Sequence, residues 1–258
     1  MNYNFHTIHM LSSLPTPAVF AHRGYSIRAP ENTIAAFDLA IHHSADGIEL
    51  DAKLTNDGRV VIIHDQTVDR TTNYQGRVKS FTLKELQVMD AGSHFDQIFE
   101  GEKIPSLDEV LHRFGNKTFI NIELTNYSDP FNDLPLTVAR MLSTKGLIHN
   151  ILISSFNPIA LYKFHQILPD VSLGFLILPG KKGFLARIIT NLLVPYDSLN
   201  IEFNDVSKEF VNKFHSKNKK IFVYTVNNPD DIRKMAMYKV DGIITDDPSL
   251  ARQILQDN

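Results

Sequence analysis

Two carboxylates, Glu49 and Asp51, alternate with apolar side chains in the segment GIELDAKL. If the segment is a β-strand, a spacing of two residues points both acids to the same face of a sheet. A solvated acidic edge would have neighbours of mixed polarity, whereas Ile48 and Leu50 beside these acids are apolar. Two unpaired carboxylates inside a protein are very costly, so we favour a bound cation as the explanation.

A third carboxylate comes from the segment FINIELT, in which Asn121, Glu123 and Thr125 share one face. Alone, Glu123 could equally form an ion pair with an arginine or lysine of the same fold. Together with Glu49 and Asp51 it forms a set of hard oxygen ligands, which suits Mg²⁺ or Ca²⁺ and argues against a zinc site. We therefore expect one divalent cation, Mg²⁺ or Ca²⁺, at the three acids.

His22 and Arg23 lie in the sequence AHRG, where the first apolar segment ends and a turn at Gly24 begins. The guanidinium offers a planar fork of donors suited to phosphate, and an imidazole exchanges protons near neutral pH. A salt-bridged arginine beside a structural histidine is the simpler interpretation of this pair alone. The nearby acids favour a catalytic role instead.

His64 follows the acidic strand closely, after a turn that contains Asp57-Gly58. Asp-Gly is a strong hairpin signal, and a parallel return would need a crossover of about a dozen residues that the sequence lacks. If Asp57-Gly58 is a two-residue loop, Asn56 pairs with Arg59. That register places Asp51 directly opposite His64.

These side chains need a scaffold, and short β-rich segments alternate with helical patterns along the chain. The predicted strands are 18–22, 46–51, 119–124, 151–155, 172–178, 198–203, 221–226 and 241–245. The predicted helices include 33–43, 106–114, 135–145, 158–168, 184–193, 208–216 and 229–238. Eight right-handed crossovers in 258 residues favour a closed (β/α)₈ TIM barrel over an open doubly wound sheet.

The barrel is expected to be one domain over residues 18–258, preceded by an N-terminal extension at 1–17. Residues 66–103 carry only one short helical stretch, near 83–89, and are expected to form an insertion on the active-site face. The acids of Asp246 and Asp247, after the last strand, are expected to cap a helix that begins near Ser249.

Composition excludes several classes of protein. The formal net charge is −3, so nothing overall indicates nucleic acid or an anionic membrane as partner. The chain has no cysteine, which excludes disulfides, thiol nucleophiles and cysteine-ligated metals. It has neither a convincing signal peptide nor an apolar run that could span a bilayer. We expect a soluble, cytoplasmic protein without stable membrane insertion; a homodimer is left open.

Ten motifs in order, from about residue 18 to residue 251, make this sequence similar to glycerophosphodiester phosphodiesterases. They are AHRG, PENT (30–33), the E-x-D with its hairpin and HD, DRTT (69–72), MDAGSHF (89–95), IPSLDEVL (104–111), NIEL, ISSF (153–156), VYTVN (223–227) and DGIITDDP (241–248). The resemblance implies a TIM barrel of the phospholipase-C-like phosphodiesterase type. It also implies metal-dependent hydrolysis of glycerophosphodiesters to sn-glycerol 3-phosphate and an alcohol.

The resemblance assigns roles to the residues already selected. It implies catalytic histidines at His22 and His64, a phosphate contact at Arg23, and metal ligands at Glu49, Asp51 and Glu123. Of the two imidazoles, we assign His22 as general base and His64 as general acid. The attacking group is either water or the glycerol 2-hydroxyl, between which the sequence does not choose.

Three positions depart from the family pattern. Thr125 stands where the family commonly has lysine, so we expect a phosphate pocket with one positive charge fewer. Tyr224 stands where tryptophan is frequent, and His94 where an aromatic residue is common. Thr125, Tyr224 and Phe156 are candidates for the substrate pocket, although aromatic residues at strand ends more often belong to the core.

Two other functions remain open. The apolar, basic-flanked segment 180–196 would suit a lysophospholipase D that acts at a membrane surface, although an outer barrel helix explains it more simply. Thr125 would suit a non-catalytic module that only binds a phosphodiester or a partner. Retention of both histidines and all three acids argues against that module.

Overall fold

The computed structural model describes residues 11–179 and 194–256. Within these ranges nine strands form one sheet: β1 (Ala18–His22), β2 (Gly47–Leu54), β3 (Val60–Ile62), β4 (Phe119–Leu124), β5 (Ile151–Ser155), β6 (Ser172–Ile177), β7 (Ser198–Glu202), β8 (Lys220–Tyr224) and β9 (Gly242–Thr245). Their order is β1-β9-β8-β7-β6-β5-β4-β2-β3, and β1 also pairs with β2. Eight parallel strands therefore close a TIM barrel, as expected, while β3 is antiparallel to β2.

Among the described residues, the helices other than the short one at Leu83–Leu86 cover the outside of the barrel. In chain order the helices are α1 (Ile34–His42), α2 (Leu83–Leu86), α3 (Leu107–Phe114), α4 (Leu134–Lys145), α5 (Pro158–Ile167), α6 (Lys208–His215), α7 (Pro229–Met237) and α8 (Pro248–Gln256). Local sequence sets several helix starts: Asn157 and Asn228 each accept a backbone N–H of the helix they precede, and proline follows both. Ser106 and Glu109 form a capping box at α3.

Strand alternation separates two apolar layers. Side chains such as Ile48 and Leu50 face the helices in the main core, which the strands and helices share. The barrel interior is filled at the amino ends of the strands by Phe20 and Phe222, whose rings meet edge to face at 5.5 Å. Polar residues lie at the carboxyl ends, and we call that end of the barrel the mouth.

Two glycines make room for the interior rings. A Cβ on Gly47 would overlap the ring of Phe20, and a Cβ on Gly242 would overlap the ring of Phe222. Each phenylalanine is thus packed against bare backbone of a neighbouring strand, so the sequence requires glycine at these positions for close approach.

The hairpin is present, but the register predicted for it is wrong by one residue. Thr55 N donates to Arg59 O at 2.9 Å, so the loop has three residues, and Gly58 takes a left-handed φ of +71°. Ile63, rather than His64, therefore lies opposite Asp51, with Ile63 N donating to Asp51 O at 2.9 Å. β3 ends at Ile62, so strand alternation does not determine where His64 points.

Residues 66–103 pack on the hairpin through a second, smaller core. This core shares no buried side chain with the main one and consists of Val61, Ile63, Val68, Val78, Leu86, Met89, Ala91 and Ile104. Its helical content is α2 and the short 3₁₀ turns Val78–Ser80 and Gln97–Phe99. The segment is thus fixed to β3, beside the mouth.

All eight predicted barrel strands are present, and β2 extends beyond its predicted end to Leu54 because it pairs with β3. The predicted helix 184–193 and most of the apolar segment 180–196 lie outside the described residues. Across 11–179 and 194–256, none of the helices has the length and apolar character needed to cross a bilayer.

Candidate active site

Three carboxylates converge at the mouth. Asp51 is the register partner of Glu123, and Glu49 is the register partner of Asn121 one step deeper. Ligand oxygens of Glu49, Asp51 and Glu123 all lie within 4.8 Å of one another. The structure thus brings together the acids selected from two strands, in a set that could hold a metal ion.

The acids carry an electrostatic cost without a cation. Burial raises the pKa of Glu49 well above its ordinary value, with the charges of Asp51 and Glu123 adding to the rise. Burial and the charge of Asp51 raise the pKa of Glu123 to about 8, against a hydrogen bond from Tyr127 that lowers it. A dication removes the like-charge repulsion directly, so the donor set fits a divalent metal.

Arg23 packs beside these acids in a left-handed conformation with φ of +57°. Its backbone N–H donates to Glu49 Oε2 at 3.0 Å, and its Nε lies 3.3 Å from Asp51 Oδ2. Its Nη1 donates to Glu31 Oε1 at 2.9 Å. Burial lowers the pKa of Arg23, but the charges of these three acids outweigh it and hold the pKa above the ordinary value.

Asn32 is a site residue that the sequence reasoning missed. It is buried, has a φ of +58°, and its backbone N–H donates to Arg23 O at 2.9 Å. Its Nδ2 donates to Asp51 Oδ2 at 2.9 Å, and its Oδ1 accepts the Asp51 backbone N–H at 3.3 Å. The PENT motif marked the segment without indicating that its asparagine would orient an acid.

His22 lies at the end of β1 as the register partner of Glu49. Its Nδ1 is 2.6 Å from Asp246 Oδ1, and Asp246 also accepts hydrogen bonds from Asn227 at 2.6 Å and Ser26 at 3.2 Å. Burial favours a raised pKa for Asp246, but these bonds, that from His22 first, hold it below the ordinary value. Asp246 is therefore an ionised partner of the imidazole.

The expectation that Asp246 and Asp247 both cap the last helix is therefore half wrong. Asp247 Oδ1 accepts the Leu250 N–H at 3.0 Å in the first turn of α8. Asp246 instead faces the mouth and bonds His22. An acid at the carboxyl end of a barrel strand was the available signal.

His64 projects from the loop after β3, with 42% of its side chain exposed. Its Nδ1 lies 2.7 Å from Asp65 Oδ1. With Glu31 and Asn32, His64 lines a small cavity beside the hairpin. Both candidate histidines thus have Nδ1 held by a carboxylate, which accepts only, so Nδ1 carries the proton and Nε2 is left for exchange.

Arg70, from the DRTT motif, connects Asp65, the partner of His64, with Glu31, the partner of Arg23. Its guanidinium donates to Asp65 at 2.7 and 3.1 Å and to Glu31 at 2.7 and 2.8 Å. The hydrogen bond from Arg70 is the main cause that lowers the pKa of Asp65 to about 2. Burial favours a raised pKa for Glu31, but Arg70 and Arg23 lower that pKa to about 2. An ion network therefore runs from His64 through Arg70 to Arg23.

The side chain of Lys53, on the neighbouring strand β2, places an ammonium group beside Thr125. Lys53 is only 6% exposed, and its Nζ donates to Thr125 Oγ1 at 2.7 Å and to Thr125 O at 3.3 Å. Lys53 shares the inward face of β2 with Glu49 and Asp51. The expectation that the pocket has one positive charge fewer overlooked this residue.

Three aromatic rings line one side of the mouth. Phe156 and Tyr224 are half-buried, with ring centroids 6.3 Å apart, and Tyr224 donates its hydroxyl to Ile177 O at 2.8 Å. Tyr127, which the sequence reasoning missed, packs on Phe156 at 5.6 Å and donates its hydroxyl to Glu123 Oε1 at 2.6 Å. The aromatic wall is thus connected directly to the acids.

A family model described as the glycerophosphoryl diester phosphodiesterase family matches residues 22–250. The chain belongs to this family. The family expected from the ten motifs, and the enzyme class that goes with it, are confirmed. The matched range begins at His22 and includes the three acids and Asp246.

Relatives with this activity in their names cover nearly the whole chain. A glycerophosphodiester phosphodiesterase from Caldanaerobacter subterraneus is 40% identical over 89% of this chain and 94% of its own length. One from Bacillus altitudinis is 36% identical over 93% and 98%.

Solved structures of family members share the barrel. A glycerophosphodiester phosphodiesterase from Agrobacterium tumefaciens superposes with a TM-score of 0.80 at 29% identity, covering 92% of this chain and 99% of its own. A phosphodiesterase from Oleispira antarctica, in complex with the product sn-glycerol-3-phosphate, gives 0.83 at 27% identity, covering 93% and 97%.

Proposed function

We propose that this protein hydrolyses glycerophosphodiesters to sn-glycerol 3-phosphate and an alcohol, with a divalent cation at Glu49, Asp51 and Glu123. The convergence of these three carboxylates within 4.8 Å, next to His22 and Arg23, is the observation that carries the proposal. The product seen in the Oleispira antarctica phosphodiesterase supports the choice of substrate.

A phosphodiester resists hydrolysis because its negative oxygens repel a nucleophile and its alkoxide leaves poorly. A divalent cation, when bound, supplies positive charge that neutralises the phosphoryl oxygens. Arg23 adds a fixed guanidinium beside the same acids, and its ion pairs with Asp51 and Glu31 orient it toward the mouth. Its left-handed backbone is the kind of local strain that surrounding structure maintains at functional sites.

His22 and His64 are proposed as general base and general acid. Asp246 holds the proton of His22 on Nδ1, so the Nε2 lone pair is free to accept the proton of the attacking hydroxyl. Asp65 holds His64 in the same way, and a protonated His64 donates from Nε2 to the leaving oxygen. The carboxylates also stabilise each imidazolium when it forms.

Release of choline and sn-glycerol 3-phosphate from glycerophosphocholine tests the proposal. We expect activity with Mg²⁺ or Ca²⁺, its loss in EDTA, and its return when the cation is restored. Asp51→Asn should stay inactive at all cation concentrations used. Full activity in EDTA, or no hydrolysis of any glycerophosphodiester, would refute the proposal.

The structure adds little support for a lysophospholipase D or for a non-catalytic binding module. The segment that suggested a lysophospholipase D lies mostly outside the described residues and therefore adds no structural support. The non-catalytic module relied on Thr125, yet an ammonium group stands beside that residue. The cluster of the three acids and the carboxylate partner of each histidine support an enzyme instead.

A further inference from the structure

We infer that Lys53 is the residue that binds a phosphoryl oxygen of the substrate from the β2 side, and that Thr125 holds its ammonium in place for this contact. The inference rests on the proposed function, because it assigns a phosphodiester anion to the same site. Glu49, Asp51 and Lys53 follow one another at spacing two on the inward face of β2. The ammonium therefore stands at the mouth, one step beyond Asp51.

The hydrogen bonds of Lys53 fix its position without neutralising it. The Thr125 hydroxyl donates its single hydrogen to Ala52 O at 2.8 Å, so toward Lys53 it can only accept. The Thr125 carbonyl oxygen accepts as well. Both partners of the ammonium are neutral oxygens, and they use two of its three N–H donors, leaving one without a partner among the described residues.

A purely structural role explains this arrangement poorly. A buried lysine is normally paired with a carboxylate, because removing an ammonium from water is costly. Among the described residues no carboxylate oxygen lies within 4.0 Å of Lys53 Nζ, although Arg23, nearby, contacts two acids. An anion that enters the mouth is the partner that the geometry lacks.

The charges of the site agree with this role. Lys53, without a carboxylate partner among the described residues, and Arg23 both contribute positive charge that attracts an anion to the mouth. A phosphodiester carries one negative charge on its two non-bridging oxygens, which suits contact with two separated cationic groups.

The test is the affinity for sn-glycerol 3-phosphate, measured by calorimetry, together with KM and kcat for glycerophosphocholine. Lys53→Met keeps the length of the side chain and removes its charge. We expect its Kd for sn-glycerol 3-phosphate and its KM to rise about 10- to 100-fold, the range for losing a hydrogen bond between charged groups. Lys53→Met/Thr125→Lys returns an ammonium from the adjacent strand and should recover most of the affinity.

Lys219→Met is the matched control. Lys219 is half-buried and, like Lys53, donates to a backbone carbonyl, that of Tyr196, but it precedes β8 at the amino ends of the strands. It should bind and turn over substrate like the wild type. Circular dichroism and the free energy of unfolding establish that each variant is folded.

The outcomes separate this inference from the proposed function. Kd and KM within twofold of wild type in folded Lys53→Met would overturn the role of Lys53 and leave the proposed function standing. A wild-type protein that neither binds sn-glycerol 3-phosphate nor hydrolyses glycerophosphodiesters would overturn both. If Lys53→Met is unfolded, Lys53→Gln provides the same readout with a polar side chain.

Discussion

Asp51 and Glu123 are register partners on adjacent parallel strands, so their side chains enter the barrel side by side. Parallel pairing of β2 with β4 brings together acids that are far apart in the chain. The same pairing sets the charge that a cation must neutralise, so stability of the protein should depend on both pH and cation.

Cation-free protein should lose stability as pH rises. Glu123 has an ordinary pKa of 4.5 and a pKa of about 8 in the folded protein, so the folded protein keeps a proton that the unfolded chain releases. Its contribution is therefore complete below pH 4.5 and is lost as pH rises to about 8. In thermal melts with and without Mg²⁺ or Ca²⁺, the cation should raise Tm more at pH 8 than at pH 5. Glu123→Gln should reduce this difference, with the remainder due to Glu49, whose pKa burial also raises. An equal Tm shift at both pH values in the wild type would contradict the assignment.

The histidine–carboxylate pairs should control turnover. His22→Ala and His64→Ala should each lower kcat by about 10²–10⁴-fold, because each removes a proton-transfer group. Asp246→Asn should lower kcat by a smaller factor, because the imidazole remains but its tautomer is no longer fixed. Steady-state kinetics at saturating glycerophosphocholine measure all three.

His215→Ala is the control for these variants. His215 Nε2 lies 2.7 Å from Asp241 Oδ2, a pair of the same kind at the opposite end of the barrel. Its kcat should match the wild type. Near-normal turnover in His22→Ala would remove that residue from the mechanism.

Arg70→Gln should impair catalysis more than stability. Loss of the guanidinium frees Asp65 and Glu31, so the orientation of His64 and Arg23 relaxes and kcat should fall about tenfold, as for other residues that orient site ligands. The free energy of unfolding at pH 7 should change by less than about 1 kcal/mol, because the guanidinium of Arg70 is half exposed and water screens its ion pairs. Arg113→Gln, which breaks an exposed double contact with Asp38, should leave kcat unchanged.

Arg70→Gln should also change how the stability of the protein depends on pH. The folded-state pKa of Glu31 and of Asp65 is about 2, below their ordinary values of 4.5 and 3.8. Their stabilisation is therefore present above those ordinary values and is lost as pH falls toward 2. Urea denaturation at pH 7 and pH 3 should show a smaller acid-induced loss in Arg70→Gln than in wild type. Equal losses would show that Arg70 does not set these pKa values.

Gly242→Ala should destabilise the barrel without changing substrate binding. The added Cβ overlaps the ring of Phe222, and overpacking of this kind typically costs about 1–3 kcal/mol. Urea denaturation measures the loss. In a Phe222→Leu background the same substitution should cost clearly less, and an equal cost in both backgrounds would mean that the ring is not the cause. The KM of the folded fraction should not change.

Much of this site follows from local sequence. Alternation of polar and apolar residues determines which side chains of a strand share a face, and this pattern alone predicts that Glu49, Asp51 and Glu123 lie inside the barrel. The strand and helix periods, with their caps and turns, were enough to predict the eight-stranded barrel. These features depend on neighbours a few residues apart, which the sequence shows directly.

Tertiary structure decided how distant segments meet. Closure of the barrel brings Asp246 to His22, 224 residues away, and parallel pairing brings Lys53 to Thr125. The hairpin register depended on Asp57: a two-residue loop needs a left-handed φ at both Asp57 and Gly58, whereas only Gly58 has one, which gives a three-residue loop and shifts every pair by one. Local sequence thus specified which residues face inward, but the hydrogen-bond partners of those residues depend on strand register and barrel closure, which are properties of the whole chain.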